Sequence, residues 1–320
     1  MSFKILSDFD GVWTNPIQEA ASVRQLMEAE TARSARADPA VVQRDFDAFL
    51  ALALARPAEH GWATEAFTGG RVTAFVDEDP FCAGNAIAAV LGEVAEGAYP
   101  VADEELLLRA KSYAKGILER GFGTGLARIS DFADHAFLEA TGNYQREHGH
   151  ALVADAAEIA EALLGLGCEL VLVSNSSTEK LLNWFRAAGI ACHDADDAAP
   201  SPTSVPARGS AGKFILGPSD TALELAGRRI FLDRPRYRRV LEAEAPDLVI
   251  GDVFSLELAL PAAMRAAGES AAPSQLVLRR HSYSPAWSAD ERAGGHIDHV
   301  IEHLSELPAL VERLLSSTPQ

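Results

Sequence analysis

The segment Asp8-Phe9-Asp10-Gly11 places two carboxylates two residues apart, at the end of a short apolar run that predicts a buried strand. Residues two apart point the same way in an extended strand, so Asp8 and Asp10 can face the same edge of a sheet. Carboxylates this close repel each other, so a divalent cation or a shared proton is expected between them. One acid can act as a nucleophile while the other transfers protons. Gly11 allows the sharp turn that follows, although the segment is also compatible with an Asx-type turn.

A second group of polar residues, Ser174-Asn175, follows the apolar run 170–173. A hydroxyl and an amide at the carboxyl end of a strand can donate hydrogen bonds to a phosphoryl oxygen. The alternative is a helix N-cap for the helix expected from Thr178. The pattern alone leaves both open.

A third group follows a strand predicted over residues 248–250, where Gly251-Asp252 is followed by Glu257. Asp252 suits a hard cation, because magnesium prefers oxygen ligands and keeps several waters. Glu257 either binds a metal-bound water or begins a helix favourably near its positive end.

Transfer of phosphate also needs positive charge where negative charge develops. Two basic residues lie between the second and third groups. Lys213 follows a loop rich in glycine and is predicted to open a strand over residues 214–216. Arg234 directly follows a strand predicted over residues 229–232. Either can supply the cation.

An α/β pattern positions these groups, because apolar strands alternate with helical segments from residue 153 onward. We predict a parallel sheet covered by helices on both faces. The segment 194–212 is rich in Asp, Ala, Pro, Ser and Gly and predicts a long loop. The remaining predicted elements are strands at 169–173, 275–278 and 298–301 and helices at 155–166, 178–188 and 307–315.

Residues 15–150 differ from the rest, because they are rich in Ala, Leu, Glu and Arg at helical spacing. We predict helices at 20–37, 41–55 and 104–119. The chain is therefore predicted to consist of a sheet domain, 1–14 with 151–320, and an inserted helical domain, 15–150.

The 320 residues carry a formal charge of −18, which disfavours attraction to nucleic acid or to anionic lipid. No segment is long and apolar enough to predict a membrane span. Three scattered cysteines predict reduced thiols in a cytoplasmic protein rather than a disulfide framework. A small anionic substrate is expected.

Taken in order, these groups resemble the motifs of the haloacid dehalogenase-like superfamily of phosphohydrolases. Asp8-Phe9-Asp10-Gly11 resembles its first motif, Ser174-Asn175 its second, Lys213 or Arg234 its third, and Gly251-Asp252 its fourth. The resemblance covers residues 1–14 and about 151–315. It implies a Rossmann-like core, a helical cap at 15–150, and a phosphate site that includes Gly11.

The resemblance also implies a chemistry: Asp8 as nucleophile, Asp10 as general acid and base, and magnesium held by Asp8, the Asp10 carbonyl and Asp252. The expected reaction is hydrolysis of a small phosphomonoester through an aspartyl-phosphate. A phosphomutase, a phosphonatase using a cap lysine (Lys111 or Lys115), or a non-catalytic phosphate-binding protein are the alternatives. Dehalogenation is disfavoured, because it needs neither a metal nor Asp10.

Overall fold

The computed structural model describes residues 2–63, 65–198, 201, 203–289 and 295–317. Its contacts divide the chain into two compact units, Met1–Asn15 with His150–Gln320 and Pro16–Gly149. We call them the sheet unit and the helical unit. Each junction lies one residue from the predicted one. Among the described residues, no helix combines the length and the apolar character that crossing a membrane requires.

The secondary-structure elements are numbered in chain order. The strands are β1 (Lys4–Ser7), β2 (Gly61–Trp62), β3 (Ala74–Phe75), β4 (Glu169–Val173), β5 (Cys192–Asp194), β6 (Val205–Arg208), β7 (Ala222–Leu225), β8 (Arg228–Phe231), β9 (Leu248–Gly251), β10 (Gln275–Arg279) and β11 (His299–Ile301). The helices are α1 (Ile17–Ala35), α2 (Pro39–Ala55), α3 (Glu65–Thr68), α4 (Cys82–Glu96), α5 (Glu104–Arg120), α6 (Ser130–His148), α7 (Ala156–Gly165), α8 (Thr178–Ala187), α9 (Pro235–Glu244), α10 (Ala259–Ala266), α11 (Ala286–Ala289) and α12 (Leu307–Ser317). A π-helical turn, Phe254–Leu258, precedes α10.

The sheet unit is built on a seven-stranded sheet in the order β11-β10-β9-β1-β4-β6-β5. All of its strand pairs are parallel. Every residue of β9 is buried although successive side chains point to opposite faces, so both faces of the sheet are covered. The predicted fold class, a parallel sheet between helices, is confirmed.

Strand β1 lies at the centre of this sheet, between β4 and β9. Ser7 aligns with Leu172 on one side and with Ile250 on the other. The segments that follow these three strands therefore leave the sheet side by side at its carboxyl edge, where ligands bind in open α/β folds.

Two predictions for the region after β5 are wrong, and a third is right about the strand but wrong about its place in the sheet. The predicted loop 194–212 contains β6, in which Val205 and Ala207 are buried between β4 and β5. Lys213 and Phe214 lie in a turn and residues 215–216 form neither helix nor strand, so Lys213 does not open a strand. The strand predicted at 229–232 is β8, which pairs with β7 in an antiparallel hairpin outside the parallel sheet. Short strands depend on their neighbours more than on composition, which explains these errors.

The helical unit has a core of its own, formed by apolar side chains of α1, α2, α4, α5 and α6. The helices predicted at 20–37, 41–55 and 104–119 are α1, α2 and α5. A buried carboxylate, Asp45 on α2, ties two of them together. It accepts two hydrogen bonds from the Arg109 guanidinium on α5, at 2.7 and 3.0 Å, and one from the Tyr113 hydroxyl at 2.7 Å.

Candidate active site

The first acidic segment turns away from the sheet directly after β1. The Asp8 amide donates to the Ile250 carbonyl at 2.9 Å, which continues the pairing with β9 for one more residue. Gly11 then adopts a φ of +81°. A Cβ at this position would overlap the carboxylate of Asp252. Gly11 therefore allows both the turn and the close approach of the acid from β9.

Three buried carboxylates meet at this edge: those of Asp8, Asp252 and Glu257 offer oxygens that all lie within 4.8 Å of one another. The Lys213 ammonium contacts Asp8 Oδ1 and lies 3.6 Å from Glu257 Oε1. Its side chain is only 1% exposed, so this cation belongs to the cluster and not to the surface. The structure thus brings Lys213 to the predicted nucleophile.

Burial and the neighbouring charges shift the pKa values of the residues in this cluster. Burial raises the pKa of Asp8, and Lys213 offsets only part of that rise. Burial also holds the pKa of Glu257 well above its usual range, with further contributions from Asp8 and Asp252. Burial alone would lower the pKa of Lys213, but attraction by Asp8 and Glu257 outweighs it and raises that pKa. One ammonium does not balance three buried carboxylates, and the all-oxygen donor set suits a hard divalent cation such as magnesium.

Asp10 makes a different set of contacts. Its Oδ1 accepts from the Lys180 ammonium at 2.8 Å, and its Oδ2 accepts from the hydroxyls of Ser176 at 2.7 Å and Ser174 at 3.2 Å. Burial alone would raise the pKa of Asp10, but Lys180 and the two serines outweigh it and lower that pKa. Ser174, predicted to bind phosphate, thus contacts Asp10 here.

Asn175 and Arg234 hold the backbone of Lys213. The Asn175 side-chain oxygen accepts from the Lys213 amide at 2.8 Å. The buried Arg234 guanidinium donates to the Lys213 carbonyl and, at 2.9 Å, to the Phe231 carbonyl. The sequence leaves both Arg234 and Lys213 as candidates for the cation facing the acids, and the structure places Lys213 against Asp8 with Arg234 behind its main chain. The N-cap role weighed for this segment belongs to Ser177, which accepts from the Lys180 amide at 3.2 Å.

The carboxyl end of β10 adds residues that the sequence did not single out. Arg279 donates to the carbonyls of Gly11 and Val12. His281 is half-buried, and its Nε2 lies 2.7 Å from the Gly11 carbonyl. Its ring stacks on Tyr283 at 4.7 Å, and the Tyr283 hydroxyl donates to Asp252 Oδ2 at 2.9 Å. The sequence does give one indication of this role, because Arg279 is a basic residue at the end of the strand predicted over residues 275–278.

Four motif segments thus meet at one edge of a parallel sheet, in the order that the resemblance implies. This arrangement agrees with the motif order of the haloacid dehalogenase-like superfamily, which the sequence resembles. No family model matches the chain, and no curated protein matches its sequence.

Several solved structures, two of them with haloacid dehalogenase or HAD names, align with nearly the whole chain. The HAD-hydrolase YfnB of Bacillus subtilis, solved bound to magnesium, is 14% identical, with a TM-score of 0.43, covering 97% of this chain and 99% of its own. The 2-haloacid dehalogenase of Pseudomonas syringae is 15% identical, with a TM-score of 0.40 and coverages of 98% and 100%. CbbY of Rhodobacter sphaeroides, solved with phosphate, is 16% identical, with a TM-score of 0.38 and coverages of 96% and 96%. These superpositions are loose, and the resemblance rests on the chain's own strand order and motif residues.

Proposed function

We propose that the chain is a magnesium-dependent phosphohydrolase that acts on a small phosphomonoester, with Asp8 as the nucleophile. One observation carries the proposal: the buried Asp8 carboxylate contacts Lys213 and shares a cluster with Asp252 and Glu257. A buried acid beside a buried ammonium and further carboxylates is typical of a reacting group rather than of a fold-stabilising contact.

Asp8, Asp252 and Glu257 would hold the magnesium ion, with the Asp10 carbonyl as the further ligand that the resemblance implies. When bound, the ion supplies positive charge that offsets the carboxylates and the phosphate. This assignment explains why three acids are buried together around a single lysine.

The charged phosphate of a bound substrate would raise the pKa of Asp10, which Lys180 and the serines lower in its absence, so that Asp10 takes up a proton on binding. In the first step, an Asp8 oxygen attacks phosphorus, the bond from phosphorus to the ester oxygen breaks, and Asp10 gives this proton to the leaving oxygen. In the second step, Asp10 takes a proton from water, the water oxygen attacks phosphorus, and the bond to Asp8 breaks to release phosphate. Lys213 offsets the negative charge that develops on the phosphoryl oxygens. Ser174 and Gly11 border the same space and complete the proposed phosphate site.

The helical unit, Pro16–Gly149, is proposed as the cap that selects the substrate. The two candidates for the cap lysine that a phosphonatase would need, Lys111 and Lys115, are exposed on α5. No feature of the described residues singles out either as an imine-forming lysine, so phosphomonoester hydrolysis is the function that we put forward. A small phosphorylated metabolite is the proposed substrate.

The proposal is tested by following p-nitrophenyl phosphate hydrolysis with magnesium, with EDTA, and with the variant Asp8→Asn. We expect activity that requires magnesium and falls by more than about 10³-fold in the variant, as for removal of a nucleophile in other enzymes. Asp197→Asn, an exposed acid of the same unit, is the matched control. Comparable activity of Asp8→Asn and wild type would refute the assignment. Isomerisation of a sugar phosphate without release of phosphate would indicate a mutase.

A further inference from the structure

The proposed acid and base, Asp10, is surrounded by donors that all come from one segment of the chain. Ser174, Ser176 and Lys180 lie within seven consecutive residues, from the end of β4 to the first turn of α8. Between them they donate to both oxygens of the Asp10 carboxylate. The orientation of this carboxylate is therefore fixed by three hydrogen bonds, one of them charge-assisted.

Lys180 is held in place independently of Asp10. Its backbone amide is capped by Ser177, which fixes the first turn of α8. Its ammonium lies 5.2 Å from the centre of the Trp184 ring and 5.8 Å from that of Phe9. The side chain is only 10% exposed, against 22% for Asp10. A lysine this enclosed, with aromatic rings beside its ammonium, is part of a built site rather than of a solvated helix face.

The two lysines of this edge are divided between the two acids of the first motif. Lys213 contacts Asp8 and Lys180 contacts Asp10, so each carboxylate has its own ammonium. Two like-charged carboxylates two residues apart would otherwise repel and turn away from each other. The pairing keeps both of them at the carboxyl edge of β1.

We propose that Lys180 is a positioning residue that orients Asp10 for proton transfer to and from the reacting oxygens, an inference that rests on the proposed function. A general acid works only within hydrogen-bond reach of the leaving oxygen, so a displaced Asp10 loses its contribution even though it is still present. Lys180 acts through Asp10 and needs no contact with substrate.

If Lys180 orients Asp10, its replacement should slow most strongly the hydrolysis of esters whose leaving group needs a proton. A nitrophenolate leaves readily without a proton, whereas an alkoxide needs one from Asp10. Lys180→Met is therefore expected to lower kcat for ethyl phosphate at least about 10-fold more than for p-nitrophenyl phosphate, since a positioned acid is worth about 10²–10⁴-fold. Lys180→Arg, which keeps the charge, is expected to recover most of the difference. In an Asp10→Asn background, Lys180→Met is expected to change kcat by less than about 2-fold, because residues that act as a unit are not additive.

Crystal structures of wild type and Lys180→Met supply a readout that does not depend on turnover. We expect the Asp10 carboxylate to move or to take two positions in the variant. Glu179→Gln, an exposed neighbour on the same helix turn, is the control, and Lys180→Gln is the second variant if Lys180→Met does not fold.

The outcomes separate this inference from the proposed function. A wild type that releases no phosphate from either ester contradicts the proposed function, and the crystal structures still decide whether Lys180 positions Asp10. An active enzyme in which Lys180→Met lowers both rates equally, adds fully to Asp10→Asn, or leaves the Asp10 carboxylate in place overturns the role of Lys180.

Discussion

The carboxylate of Asp252 occupies the space that a side chain at Gly11 would fill. The turn after β1 and the acid after β9 are therefore fitted to each other, and the residue at position 11 must lack a Cβ. Its φ of +81° is a second reason, because this conformation is strained for other residues.

Gly11→Ala is expected to suffer both effects. The positive φ costs about 1–2 kcal/mol. The overlap with Asp252 displaces a proposed metal ligand, so phosphatase activity should fall by at least about 100-fold, as for a misplaced catalytic group. Urea unfolding and hydrolysis of p-nitrophenyl phosphate measure the two effects.

Gly167→Ala is the matched control. Gly167 has a φ of +79°, in the same unit, but a Cβ there would meet nothing within 4 Å. It should show the same loss of stability with full activity. Equal losses of activity in the two variants would contradict the proposed fit between Gly11 and Asp252.

Tyr283→Phe is expected to weaken magnesium binding. The hydroxyl donates to Asp252 Oδ2 at 2.9 Å, and partners that orient a metal ligand are typically worth about 10–100-fold in metal affinity. Activity should return at high magnesium concentration, because the ligand itself is intact. Calorimetric titration with magnesium and the magnesium dependence of kcat check the expectation.

Tyr99→Phe removes a comparable hydrogen bond, from Tyr99 to the Leu52 carbonyl, within the helical unit. It should leave magnesium binding unchanged. If Tyr283→Phe binds magnesium as tightly as wild type, Tyr283 does not orient Asp252.

Arg109→Met is expected to destabilise the helical unit without touching the sheet unit. It leaves Asp45, which is only 6% exposed, without its guanidinium partner. Arg109 itself is 31% exposed, so we expect a loss of about 2 kcal/mol in the free energy of unfolding rather than the full cost of an unpaired buried charge. Chemical unfolding measures the loss.

Lys111→Met is the control on the same helix, because Lys111 is exposed. Its unfolding free energy should stay within about 0.5 kcal/mol of wild type. The double variant Asp45→Asn with Arg109→Met should recover part of the stability, and failure to do so would show that packing, and not the unpaired charge, is lost.

The sequence predicts which residues carry the chemistry at the sheet edge, because each of them is marked by its immediate neighbours in the chain. Asp8, Ser174 and Asp252 each stand directly after an apolar run, and parallel strands bring their carboxyl ends together. The residue that each of these side chains contacts, and the direction from which it approaches, depend on segments that are distant in the sequence. Arg234 and Lys213 are both basic residues near predicted strands, and only the folded backbone shows that one guanidinium bonds the main chain of the other residue.

The features that the sequence does not predict likewise depend on contacts that only the fold provides. Lys180 lies six positions beyond Ser174, and its ammonium contacts Asp10 because the first turn of α8 brings the side chain back towards that carboxylate. The sequence predicts a loop where β6 forms because Val205-Pro206-Ala207-Arg208 has little strand character, yet its position between β4 and β5 provides the pairing.

His281 is expected to make stability depend on pH. Burial, with Arg279 nearby, lowers the pKa of its imidazole from 6.5 to about 4. The folded state thus binds a proton less readily than the unfolded state. The stability contribution of the neutral ring is complete above the unfolded value of about 6.5 and is lost as the pH falls towards 4.

Urea unfolding of wild type and His281→Gln between pH 4 and pH 7 tests this sign. The shift corresponds to at most about 3 kcal/mol. Wild type should lose stability relative to the variant as the pH falls, because glutamine takes up no proton. A difference between wild type and His281→Gln that stays constant over this range would show that His281 does not titrate between its folded and unfolded values.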